Sequence, residues 1–182
     1  MFSDFEIQRI AVPTDFSETA YVAIDHAADI AKRYGAEILL IHVLETGAYQ
    51  GIFSPSKKTE YDELERAQEK LQEDAHQLER KSGVNVTHEV VSGRVYEEIV
   101  RVSNDQNADL LVMGTHGVSG WAEFFVGSNA FKVVTQSPCP VLSIQRNASK
   151  TECENLILPI DQTPETRQKV RYAASLAKKF GS

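Results

Sequence analysis

Short unbroken apolar runs alternate with stretches of helical periodicity along most of this chain, and that alternation leaves few folds open. The runs at Arg9–Pro13, Glu37–Val43, Val84–Val91, Leu110–Met113 and Val141–Ile144 read as strands. Ile38, Leu39, Leu40 and Ile41 follow one another without a polar break, as a strand covered on both faces requires. Between the first two runs, Ala20, Ile24, Ala27, Ala28 and Ala31 recur at helical spacing, with Ser17 as N-cap and Gly35 as the stop. Tyr61, Leu64, Gln68, Leu71, Ala75 and Leu78 step through a Glu- and Lys-rich stretch, which predicts a long amphipathic helix ending at Gly83. Helices over Val95–Val102 and Ser128–Thr135 complete the series, and Glu45–Ser56 has no period and reads as a loop. Parallel strands need crossover connections, so the expected fold is α/β: an open five-stranded parallel sheet with helices on both faces.

The chain has 182 residues. At roughly 100 to 200 residues per domain, this allows one domain and a remainder. The remainder repeats the beginning. Residues 10–36 lie over 156–182 without a gap, with Pro13 on Pro159, Asp15 on Asp161, Ala27 and Ala28 on Ala173 and Ala174, Lys32 on Lys178, and Gly35 on Gly181. The expected organisation is a domain over 1–146, a linker over 147–155, and the first strand and helix of a second copy over 156–182. One strand and one helix cannot close a core, so the tail is expected to be a truncated second unit or part of a tandem protein.

Charge excludes two classes of partner. Nineteen Lys plus Arg against 26 Asp plus Glu give a net charge of −7, which disfavours binding to nucleic-acid phosphates or an anionic membrane. No segment approaches the roughly 18 unbroken apolar residues of a membrane span, and Met1–Ile10 lacks the basic start of a secretory signal. Cys139 and Cys153 are too few for a disulfide framework, and the expected compartment is the reducing cytoplasm. Cys139, in Ser-Pro-Cys-Pro, reads as a small buried residue rather than a nucleophile.

The chemistry is expected where the fourth strand leads into the fourth helix, through Gly114-Thr-His-Gly117 and on to Gly127-Ser128. Gly114 and Gly117 let backbone approach a ligand closely, and Gly127-Ser128 puts bare amides and a hydroxyl at a helix start, a setting that favours phosphate. In an open parallel sheet, ligands bind beyond the carboxyl ends of the strands where strand order reverses. The turns after the first and fourth strands would flank that crevice. A plainer account is that these glycines only make turns.

The spacing Gly-x2-Gly-x9-Gly-Ser, preceded by Leu-Val-Met and paired with Val-Pro-Thr-Asp-Phe-Ser-Glu-Thr-Ala near the N-terminus, resembles the nucleotide-binding branch of the universal stress protein family. The resemblance covers about residues 7–146, and the tail resembles the start of a second such domain. It implies a sheet in the order 3-2-1-4-5 with ATP, or ADP or AMP, in the crevice. By motif position, Pro13, Thr14 and Asp15 would sit beside the nucleotide, with Asp15 toward the ribose or a Mg-phosphate group as a metal ligand. The Val43 backbone would meet adenine, and Met113 and Gly114 would border base and sugar. His116, Gly117, Gly127, Ser128 and Asn129 would surround the phosphates. The resemblance also implies a homodimer, or a pseudo-dimer of tandem halves, through the fifth strand at Val141–Ile144. Two positions depart from the pattern: Ala130 stands where relatives often carry Thr, and Val118 where a basic residue often follows His-Gly. Preference among the adenine nucleotides is therefore left open.

Individual side chains have plainer alternatives. Asp15 could serve only an Asx turn before Ser17. His42 reads as a hydrogen-bonded structural histidine, and His26, His76 and His88 belong to no constellation. Trp121, Phe124 and Phe125 read as a hydrophobic lid or packing contact, because no basic residue interleaves them. The leading expectation is a noncatalytic nucleotide-binding stress-response module. The rivals are a slow ATP-hydrolysing enzyme and a nucleotide-free dimerisation scaffold. Against the enzyme, the Gly-x4-Gly-Lys-Ser/Thr phosphate loop is absent. A receiver domain lacks an acceptor Asp at Ser92-Gly93, and an NAD module lacks Gly-x-Gly-x-x-Gly after the first strand.

Overall fold

The structure, a computed structural model, describes residues 5–45, 57–115, 127–148, 153–161 and 163–182. Its elements are β1 (Arg9–Pro13), α1 (Glu18–Tyr34), β2 (Glu37–Glu45), α2 (Lys57–Ser82), β3 (Val86–Gly93), α3 (Val95–Asp105), β4 (Leu110–Gly114), α4 (Ser128–Gln136), β5 (Val141–Ile144) and α5 (Pro164–Phe180). The five strands form one parallel sheet in the order β3-β2-β1-β4-β5. The expected loop at 45–56 lies outside the described residues apart from Glu45, which ends β2.

Strand alternation divides the core in two. Ile10 and Val12 of β1, Ile38 and Leu40 of β2, and Leu110 and Val112 of β4 face α1 and α2. Their neighbours Ala11, Leu39, Ile41, Leu111 and Met113 face α3 and α4. Successive residues of a strand point to opposite faces, so an unbroken apolar run is what a sheet with helices on both sides needs. On the first face, Leu71, Ala75 and Leu78 of α2 pack beside Ala23, Ile24 and Ala27 of α1. Asp74, buried between these helices, accepts from Tyr21 Oη and from Lys70 Nζ, each at 2.8 Å. A buried carboxylate is stable only when so partnered.

The helix caps follow the sequence. Ser17 Oγ accepts the Ala20 N–H at 3.2 Å, and Gly35 closes α1 in the left-handed conformation at φ 70°. The repeat reproduces this helix residue for residue: α5 spans 17 residues like α1, with bounds displaced as the alignment requires, and Gly181 closes it at φ 74°. Asp161 Oδ1 accepts the Thr163 N–H as Asp15 Oδ1 accepts the Ser17 N–H.

The strand expected at 156–160 is a correction, because that segment carries no strand pairing. Ile157 is 90% exposed and Ile160 62% exposed. A lone strand has unpaired backbone groups on both edges, and among the described residues it has no neighbour to complete them. Helix α5, whose hydrogen bonds are internal, forms regardless. It docks on the first domain through Ser175 Oγ, which donates to the Phe5 carbonyl at 2.6 Å, leaving Tyr34 Oη to donate to Ser175 at 3.0 Å. The Phe5 and Tyr172 rings meet edge to face at 4.6 Å, and the Arg33 guanidinium lies 4.5 Å from the centre of the Phe180 ring.

Candidate functional site

Connections run from β1 through β2 to β3 on one side of the sheet and from β4 to β5 on the other, so strand order reverses between β1 and β4. A crevice opens at the carboxyl ends of these two strands, as this topology dictates. It holds a cavity of about 390 Å³, within the usual range for small-molecule sites. Pro13, Thr14, Asp15 and Val43 line one side; Met113, Gly114, Gly127, Ser128 and Asn129 line the other. Every expected site residue among those described is brought together. His116 and Gly117 lie outside the described residues, as do Val118, Trp121, Phe124 and Phe125.

The turn after β1 is held by three local bonds and one to β2. The Thr14 N–H donates to the Ile41 carbonyl at 2.8 Å, continuing the β1–β2 ladder. Thr14 Oγ1 accepts the Phe16 N–H at 3.0 Å, Asp15 Oδ1 accepts the Ser17 N–H at 3.0 Å, and Ser17 caps α1. The Asx turn named as the plainer role of Asp15 is therefore present, and the same residue also lines the cavity. One residue has a function the sequence does not advertise. Phe16 sits at φ 61°, where bulky side chains rarely go.

Across the crevice, Gly127 is the N-cap of α4 and brings no side-chain acceptor, and the first turn carries no acidic residue. The leading amides of a helix have no intrahelical acceptor, and the helix dipole adds positive potential there. Gly127 donates its own N–H to the Thr115 carbonyl at 3.1 Å. Thr115 is buried, and its N–H and Oγ1 both donate to the Ile144 carbonyl, at 3.0 and 3.3 Å. Thr115 carries no signal in the sequence beyond its place after Gly114.

The two glycines differ in what they do. A Cβ on Gly114 would stand 2.8 Å from Thr19 Cγ2 and 3.2 Å from the Thr19 backbone, so its bareness serves the packing of β4 against α1. The same residue also lines the cavity. Among the described residues a Cβ on Gly127 would meet nothing nearer than the Thr115 carbonyl at 3.4 Å, and none of them demands glycine there. A group resting on the first turn of α4 would.

Between the two rims the walls are apolar: Ile41, Val95, Ile99, Met113 and Ala130. Among the described lining residues the only formal charge is the Asp15 carboxylate, and none is Lys or Arg. No cluster of three or more metal-ligating side chains occurs among the described residues, so a divalent cation at Asp15 would need further ligands from outside them. An apolar slot ending in bare amides fits a flat base at one end and a phosphate at the other. Cys139 is remote from this chemistry; burial pushes its thiol above the usual range, opposite to what a nucleophile needs.

No helix among the described residues is long and apolar enough to cross a membrane. In sequence, the chain is 33% identical over 141 residues to a universal stress protein of Methanocaldococcus jannaschii, covering 76% of this chain and 82% of that one. In structure, it is similar to a universal stress protein solved in complex with cAMP, at 25% identity and a TM-score of 0.58, covering 75% of this chain and 96% of that one. A universal stress protein from Archaeoglobus fulgidus shares the fold over 96% of this chain and 64% of its own, at 20% identity and a TM-score of 0.75. The universal stress protein family model matches residues 6–145, the whole of the five-stranded unit. With that match, the sheet order and the crevice at its reversal point all agreeing, the chain belongs to the universal stress protein family.

Proposed function

We propose that the crevice binds an adenine nucleotide and that the protein acts as a noncatalytic stress-response module regulated by that nucleotide. The observation that carries this reading is Gly127: the described residues leave room for a side chain there, yet the residue is bare beside the amides of α4. The base would lie in the apolar slot near Val43 and Met113, the ribose near Asp15, and the phosphate on Gly127, Ser128 and Asn129. A structural neighbour complexed with cAMP supports the class of ligand. Within this reading ATP, ADP and AMP are the candidates, with Mg bound through the phosphates and Asp15, and His116 and Gly117 completing the phosphate side.

Residues of this chain do binding work in the reading and no bond-breaking. Main-chain donors hold the phosphate, the Thr14–Ser17 turn presents the Asp15 carboxylate, and the apolar walls exclude water from the base. The Gly-x4-Gly-Lys-Ser/Thr phosphate loop is absent from the sequence, which favours the noncatalytic form. Mass analysis of nucleotide released from purified protein, with titration of AMP and ATP into the wild type and Gly127→Val, tests it. Equal binding by both proteins, or none by the wild type, refutes it.

Two further features belong to the proposal. One long edge of β5 carries no strand among the described residues, and Phe131 and Val134 of the neighbouring α4 are 63% and 50% exposed. That surface suits pairing with a second copy through Val141–Ile144. The congruence of α5 with α1, down to the turn at Asp161 and the cap at Gly181, supports reading 156–182 as the opening step of a second unit of the same kind. Cytoplasmic residence accords with two unpaired cysteines.

A further inference from the structure

His42, on β2 one residue before Val43, reaches back across the sheet end to the turn that carries Asp15. Its Nδ1 is 2.8 Å from the Thr14 carbonyl oxygen. A carbonyl only accepts, so Nδ1 carries the proton and the tautomer is set by this contact. The ring also stacks on Phe16, with centroids 4.4 Å apart and planes 30° apart. Phe16 is the residue at φ 61°.

These facts belong together. A phenylalanine in the left-handed region is an outlier that persists only where its surroundings over-determine it, and such residues cluster at ligand clamps. Local bonds hold the Phe16 and Ser17 amides, but both arise within the turn itself. They would move with the turn if it swung as a unit. The Thr14 N–H bond to the Ile41 carbonyl anchors the start of the turn to β2, and His42 extends that restraint past Asp15, gripping the Thr14 carbonyl on one side of it and the Phe16 ring on the other. The residue between those two grips is the one charged group among the described lining of the cavity.

We propose that His42 is a positioning residue of the nucleotide site: its Nδ1–H bond to Thr14 and its stack on Phe16 hold the Thr14–Ser17 turn, and so Asp15, in the ligand-competent geometry. The proposal rests on the adenine-nucleotide reading above. Removing the clamp lets the turn visit other conformations, and apparent affinity falls by the fraction of time the competent one is populated. A competent fraction of about one tenth weakens binding about tenfold.

Two amides that differ by one methylene test it. The side-chain nitrogen of asparagine stands where Nδ1 stands, whereas that of glutamine stands nearer the position of Nε2 and misses the Thr14 carbonyl. AMP affinity is measured by calorimetry for the wild type, His42→Asn, His42→Gln and His42→Ala, well below each melting temperature. The expected result is an affinity for His42→Asn within about threefold of wild type, and losses of about tenfold for His42→Gln and His42→Ala. A purely structural role would lower melting temperature without separating the two amides in affinity. Equal affinity for His42→Asn and His42→Gln, whether both strong or both weak, overturns the proposal even if His42→Ala fails to fold. A wild type that binds neither AMP nor ATP is a different failure: it removes the site itself, and this role with it.

Discussion

Gly114 lies so close to Thr19 that a Cβ would approach Thr19 Cγ2 to 2.8 Å, whereas among the described residues a Cβ on Gly127, on the opposite rim of the crevice, would meet only the Thr115 carbonyl, at an ordinary 3.4 Å. Packing accounts for the first glycine, and the proposed nucleotide site for the second. Gly114→Ala is therefore expected to cost about 1 to 3 kcal/mol of stability, because the end of β4 or the first turn of α1 must shift. Gly127→Ala is expected to stay within about 0.5 kcal/mol of wild type. Its nucleotide affinity should fall about tenfold, since the added methyl occupies the phosphate position. Urea unfolding and calorimetric titration of both variants separate the two effects, and an unaltered affinity for Gly127→Ala counts against the site.

Asp15 has a turn role that asparagine can also perform, since either side chain accepts the Ser17 N–H. Asp15→Asn should melt within about 0.5 kcal/mol of wild type, while Asp15→Ala loses about 1 kcal/mol with the hydrogen bond. If the carboxylate serves a Mg-bound phosphate, Asp15→Asn should weaken ATP binding in Mg several-fold and leave AMP binding without Mg nearly unchanged. Steady-state phosphate release should be equally low in wild type and Asp15→Asn. A turnover present in the wild type and abolished by this change would establish an enzyme instead.

Ser103 on α3 is fully buried, and its hydroxyl has no hydrogen-bond partner among the described residues. A buried unpaired hydroxyl carries a desolvation cost with nothing to offset it. Ser103→Ala is expected to raise stability by about 1 kcal/mol, seen as a melting temperature about 2 to 4 °C higher. Lower stability would mean that the hydroxyl has a partner, such as an internal water.

Asp161, at the head of α5, receives hydrogen bonds from the Thr163 hydroxyl at 2.6 Å, the Thr163 N–H at 2.8 Å and the Thr166 hydroxyl at 2.8 Å. The Thr163 hydroxyl leads in favouring the charged form, and the carboxyl is held down from 3.8 to about 2. A carboxyl with a lowered folded pKa contributes stability above its unfolded value and loses it as pH falls through the folded one. The Asp161–Thr163–Thr166 hydrogen bonds at the head of α5 should therefore be fully formed above about pH 4 and loosen as pH drops toward 2. An NMR titration of the Asp161 side chain should show a midpoint near 2 in the wild type. In Thr163→Val the midpoint should rise. A wild-type midpoint at the ordinary value would show that the hydroxyl cluster does not persist in solution.

Much of the fold is legible because its signals are local. The run Ile38–Ile41 needs cover on both sides wherever it sits, and Ser17 with Gly35 bounds a helix whatever that helix packs against. The site is partly legible for the same reason: Gly127-Ser128 opens a helix with bare amides in any context. The role of His42 is not, because its partner Thr14 lies 28 residues away and the two meet only when β2 pairs with β1. Nor is the reason for Gly114, since a bare position looks the same in sequence whether it admits a ligand or the backbone of Thr19.

The tail marks the boundary between the two kinds of information. The same pattern that makes β1 and α1 recurs at 156–182, and α5 forms because a helix satisfies its backbone within itself. The strand pattern at 156–160 remains unpaired, because a strand's hydrogen bonds belong to its neighbours. Sequence alone determined which segments wish to be helix or strand and where the bare amides fall. Tertiary structure decided which strands find partners, which glycine is spent on packing, and which histidine holds Asp15 in the crevice, because each of these depends on atoms brought together from distant parts of the chain.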